Sequence, residues 1–199
     1  MKKTLLFICA ILVLVFVGSI EIFAQSASQG DMRIQVKELA KEMAIDYYTG
    51  VLKREQEING FAFYFDTNKS LVFLTYDAQS TEGVTTNFDQ EDVLVKWNVL
   101  NWMSTRKADL SSDQLSGRMY KVLRDFKKTE KNFNQEVFRQ LSNALSELRN
   151  EGFFKNTSSD FVLLVHASDA DLRSESKSSL SQLLSAENFK SYMAWSEEF

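Results

Sequence analysis

The run FVLLVHA, Phe161–Ala167, constrains the fold more than any other part of the chain. Successive side chains of a strand point to opposite faces, and here both faces are apolar up to His166. Such a strand needs cover above and below, the signature of a central, doubly covered strand. The approach to it is equally informative. Val137, Phe138, Leu141, Leu145 and Leu148 recur at helical spacing, which predicts a helix over about Asn134–Glu151. Gly152 then stands where a helix C-terminus needs a left-handed residue, and Phe153–Phe154 follow in position to pack back on the last turn.

The rest of the chain supplies the layers. Val36, Leu39, Ala40, Met43, Tyr47 and Val51 form one stripe, so a helix is expected from about Asp31 to Ile58, closed by Asn59–Gly60. FAFYF places Phe61, Phe63 and Phe65 on one strand face, with Ala62, Tyr64 and Asp66 on the other. DTNKS turns the chain and LVFLTY, Leu71–Tyr76, returns as the second arm of a hairpin. DAQSTEGVTTNFDQED reads as loop, Val93–Trp97 as a third strand and Asn98–Ser104 as a helical turn. SSDQLSGRMYKVLRDFKK is an amphipathic helix. Ser111 and Gln114 form its capping box, and Leu115, Met119, Val122, Leu123 and Phe126 its stripe. Ser168–Ser179 reads as loop and SLSQLLSAENFKSYMAW as one or two closing helices.

The expected fold is therefore α+β, a small, mainly antiparallel sheet covered by amphipathic helices in a single domain over residues 25–199. A chain of 199 residues with 44% hydrophobic and 25% charged residues can bury such a core unaided. The chain has no proline, which removes proline-rich linkers and weakens any case for a second, tethered domain. Phe63, Leu141, Leu145, Leu163 and Val165 are expected to be buried together.

The N-terminus reads as an export signal. MKKT carries two positive charges, Leu5–Val17 is an unbroken apolar run, and GSIEIFAQSA follows. Those 13 apolar residues fall short of the ~20 needed to span a bilayer, so cleavage is expected after Ala24, with residues 1–24 a signal peptide. The expected product is periplasmic or secreted, with no stable membrane insertion. Cleavage would remove Cys9, the only cysteine, and with it any disulfide or thiolate chemistry. It would also remove Lys2, Lys3 and Glu21. The remaining 21 basic and 26 acidic residues give a net charge of −5. That charge disfavours nucleic acid and anionic membranes and mildly favours a basic partner.

The residues that bear chemistry are few. His166 is the only imidazole, so any Ser-His-Asp arrangement must use it. No Gly-x-Ser-x-Gly elbow and no phosphate-cradling glycine cluster occurs. A lone histidine at the end of a core strand is more often structural than catalytic. DTNKS and SDADLRSES offer oxygens at alternate positions, but Leu71 stands where a calcium loop needs glycine, and both lack the remaining features of such a loop. They read as solvated turns. No cofactor, metal or catalytic residue is assigned. Trp97, Trp102, His166, Asp169 and Asp171 are the candidate binding residues.

VKWNVLNW, LSELRNEGFF, FVLLVHASDAD and SLSQLLSAENFKSYMAW, together with FAFYFD, resemble in order and spacing the bacterial family catalogued as domain of unknown function 4303. The resemblance covers nearly all of the chain after residue 24. It carries no activity to transfer, and the family's members are similar to small immunity-type proteins of bacterial conflict systems. The resemblance and the residues together lead to an exported, non-catalytic binding or interaction protein of immunity-like type, acting on a protein partner. The rival is an exported hydrolase using carboxylates or His166.

Overall fold

The computed structural model describes residues 31–53, 58–77, 97, 99, 113–157, 161–169 and 172–198. The expected signal peptide, the loop after β2, Ser111 of the expected capping box and most of the Trp97–Trp102 segment lie outside these residues. Helix α1 covers residues 31–52. Its apolar stripe is buried as expected, and Ala44 and Tyr48 widen it. The helix stops before Ile58, which is buried but no longer helical, and Gly60 already belongs to a strand.

Strand β1, Gly60–Asp66, pairs antiparallel with β2, Leu71–Asp77, with Phe63 opposite Leu74. The turn between them is held by Asp66, whose Oδ1 accepts from the backbone N–H groups of Asn68 and Lys69 at 3.1 and 3.0 Å. This is an Asx turn, which explains the aspartate without any bound cation. Helix α2, Asp113–Phe126, and helix α3, Phe133–Asn150, lead to β3, Val162–Ala167. Helix α4, Arg173–Leu183, and helix α5, Ala186–Glu198, close the chain.

The expected glycine cap at the end of α3 is present. Gly152 has φ 78°. Its N–H donates to Arg149 O at 3.0 Å, and the Phe153 N–H donates to Leu148 O at 2.9 Å. This is the Schellman arrangement, in which a left-handed residue lets the chain cap its own last carbonyls. Phe153 and Phe154 turn back onto Tyr48 of α1, with ring centroids 5.4 and 5.0 Å away.

The α+β class is as expected. The sheet is mixed, in the order β2-β1-β3, with β3 joining parallel to β1 and Phe63 beside Val165. Among the described residues β1, rather than β3, is therefore the central strand. Both faces of β3 are nonetheless buried, because each face of the sheet carries its own helical layer. Phe61, Phe63, Phe65, Leu163 and Val165 pack under α1, α2 and α3, in one cluster with Leu141 and Leu145. Ala62, Val162 and Leu164 pack with Trp97, Val99, Leu180, Leu184 and Tyr192 on the opposite face. The two-faced apolar pattern thus reports layering and not position in the sheet.

Two further expectations are corrected. Trp97 is helical and not the end of a third strand, while residues 93–96 of that expected strand lie outside the described residues. Ser168–Ser179 is not all loop, since α4 begins at Arg173. Its serines are neutral helix formers, and the helix is fixed by burial of Leu180, Leu183 and Leu184 at its end. Ser185 caps α5, its hydroxyl accepting from the Asn188 N–H at 3.2 Å.

Candidate functional site

The end of β3 gathers most of the candidate residues within the described part. Side-chain alternation places His166 on the same sheet face as Leu164, directly opposite Tyr64 in the β1–β3 register. Their rings stack at 15° with centroids 5.9 Å apart. Tyr64 also meets Phe73 of β2 at 6.3 Å, so an aromatic row crosses all three strands. Burial pushes the Tyr64 phenol above its ordinary value, and Asp66 adds to this, while a hydrogen bond with Ser168 partly offsets it.

The segment after His166 is fastened to the β1–β2 turn. The Ser168 N–H donates to Phe65 O at 3.0 Å, and the Ser168 hydroxyl accepts from the Thr67 N–H at 3.0 Å. The Ser168 and Thr67 hydroxyls lie 3.0 Å apart and share a further hydrogen bond. Beside them is a small cleft lined by Phe138, Val165, His166, Ala167, Asp169, Leu172 and Tyr192. It offers about 10 Å³, room for roughly one water.

Trp97 stands behind this cleft. It is fully buried, meets Tyr192 edge-on at 5.5 Å, and donates its indole N–H to the Ser191 hydroxyl at 3.2 Å. A buried indole needs such a partner. His166 and Asp169 therefore share the cleft, and Trp97 reaches it through Tyr192. Trp102 and Asp171 lie outside the described residues. Among the described residues, no group of three or more His, Cys, Asp or Glu side chains is placed to hold a metal ion.

A larger cavity, which the sequence did not reveal, lies between α1 and α2. It is a groove of about 520 Å³ with Met32, Leu39 and Val122 among its lining residues. The α1 wall contributes Asp31, Gln35, Glu38 and Glu42, and the α2 wall Arg118, Lys121 and Asp125. Arg118 Nη1 meets Glu42 Oε2 at 2.9 Å at one end. At the other, a hydrogen bond from Lys128 holds the Asp125 carboxyl below its usual range, so it is anionic at neutral pH. Only Leu39 and Val122 among them belong to the apolar stripes that the sequence shows. Only the tertiary pairing of α1 with α2 turns them into one surface.

The opposite flank of α1 is tied to α3. Lys37 and Lys41 donate to Glu147 at 2.7 and 3.3 Å, and Lys41 also reaches Glu151 at 2.6 Å. Hydrogen bonding to Glu147 raises the Lys37 ammonium, bonding to Glu151 raises that of Lys41, and the Glu147 carboxyl is lowered in turn.

A family model described as Domain of unknown function (DUF4303) matches residues 40–182, from within α1 to within α4. No curated protein and no solved structure matches the chain.

Proposed function

The chain belongs to the DUF4303 family, and on that premise we propose that it is an exported binding or interaction protein of immunity-like type, without catalytic activity. The observation that carries this reading is the packing of His166. Its ring lies flat against Tyr64, and the following segment is laced to the β1–β2 turn through Ser168 and Thr67. A general base needs a proton donor within hydrogen-bond reach and space for a reacting group beside it. The cleft at His166 holds about one water. A cleft that small leaves little space for a substrate beside the imidazole, which supports a structural role for it, stacked on Tyr64.

The N-terminal sequence supports export, since a charged start, a short apolar run and a polar exit make a signal peptide. The groove between α1 and α2 supports binding, because it presents an apolar floor within a polar rim.

His166→Asn separates this reading from the hydrolase. Asparagine keeps hydrogen-bonding capacity but cannot act as a general base. The variant is expected to keep biological function, with a melting temperature close to that of the wild type. Loss of function in a folded variant of unchanged melting temperature would establish the enzyme instead.

A further inference from the structure

We propose that the outer face of α2, turned away from the groove, together with the turn that follows it, is the docking surface for an acidic segment of a partner protein. This rests on the reading of the chain as an interaction protein, and it commits that reading to one surface and one ligand chemistry.

Uneven charge carries the first part of the argument. The whole sequence has a net charge of −4, which taken alone favours a basic partner, yet residues 118–131 hold six cations and two anions. Glu130 pairs with Arg33 of α1, and Arg118 is matched by Glu42 at the groove. Lys121 lines the groove too, opposite an α1 wall that brings Asp31 and Glu38. Those charges balance one another. On the outer face Asp125 lies 2.8 Å from Lys128 and 3.8 Å from Arg124. The β1–β2 turn joins this face, because Lys127 Nζ donates to Ser70 Oγ at 3.1 Å. Beside Ser70 stands Lys69, 73% exposed, with Asp66 3.7 Å away. Among the described residues, five exposed cations, Lys69, Arg124, Lys127, Lys128 and Lys131, thus meet the two carboxylates of Asp66 and Asp125, an excess of three positive charges. Asp113, the other acid of α2, stands at its start, roughly 16 Å of helix before Arg124.

An aromatic side chain on the same face carries the second part. Tyr120 is 46% exposed, and helical spacing puts it one turn before Arg124 and two before Lys127. Tyrosine and arginine are the residues most enriched where protein interfaces hold their binding energy. The planar fork of arginine also matches a carboxylate in two places at once. From Tyr120 to Lys128 the face runs about 12 Å, the reach of roughly four extended residues. A short segment bearing carboxylates fits that length. An anionic bilayer or a long nucleic acid would run past it onto the α1 wall, where Asp31, Glu38 and Glu42 repel it. Among the described residues the exposed large aliphatic side chains, Ile34, Ile45 and Leu52, all belong to α1, so this face has none to insert into lipid.

The test uses the full chain at about 150 mM salt and a labelled octapeptide of alternating glutamate and serine, with binding read by fluorescence anisotropy and located by chemical-shift changes. The expected result is saturable binding that perturbs Tyr120, Arg124 and Lys128. Arg124→Gln combined with Lys128→Gln should weaken it about tenfold. Lys53→Gln combined with Lys155→Gln removes the same charge elsewhere and should leave it unchanged. All four side chains are exposed, so both double variants are expected to fold. Absence of saturable binding, shifts located elsewhere, or equal loss in the two double variants would each overturn the proposal. Tighter binding of phosphatidylglycerol vesicles or of single-stranded DNA than of the peptide would overturn it as well. A natural partner that binds wild type and the Arg124/Lys128 variant equally well would remove this surface while leaving the interaction reading in place.

Discussion

Glu130, between α2 and α3, keeps its side chain only 7% exposed and meets Arg33 of α1 at 2.5 Å. Burial pushes its carboxyl up, but Arg33 and the N–H groups of Asn132 and Lys131 outweigh this and hold it below its ordinary value of 4.5. A carboxyl lowered in the folded state contributes stability that is present above the unfolded value and lost as pH falls through the folded one. Wild type should therefore exceed Glu130→Gln in stability at about pH 7, with the gap closing as the pH falls below 4.5. Urea denaturation at several pH values checks this, and a gap independent of pH would contradict it. At this scale the sequence was legible where a residue's role is local. Gly152 showed its left-handed turn because only glycine takes that conformation freely, and Asp66 announced a turn. The stacking of His166 on Tyr64 was not legible, since it depends on a register between strands about a hundred residues apart in sequence.

Helices and the hairpin were readable for a similar reason. The stripes of α1, α2 and α3 and the alternation of Phe61, Phe63 and Phe65 are periodic within one element, and burial follows them. Parallel pairing of β1 with β3 leaves no such local trace, because α2 and α3 intervene between the strands. The beginning of α4 was also hidden, as its serines look like loop until Leu180, Leu183 and Leu184 find the sheet. A prediction belongs to α3, whose Leu145 is fully buried against the sheet. Leu145→Ala should cost about 2–5 kcal/mol, the sum of lost transfer energy and an unfilled cavity. Chemical denaturation measures this directly. A loss under about 0.5 kcal/mol would mean that this face of α3 is not in the core.

On the scale of the whole molecule, a three-stranded sheet with a helical layer on each face carries, among the described residues, a small cleft and a larger groove. One, at the end of β3, is filled by its own side chains. The other, between α1 and α2, is larger, with Glu42 and Arg118 paired across one end. Its walls lie far apart in sequence, Glu42 and Arg118 being 76 residues apart, so neither helix alone reveals it. The function proposed for the chain is that of an exported interaction protein, supported by an N-terminal segment that reads as an export signal and by the packing of His166 on Tyr64. Native mass spectrometry of the chain recovered from the exported fraction tests that most directly. It should show a chain beginning at Gln25, bound in fixed stoichiometry to a second protein, with the complex retained in His166→Asn. A chain that keeps residues 1–24, or a processed chain found only alone, would contradict the account.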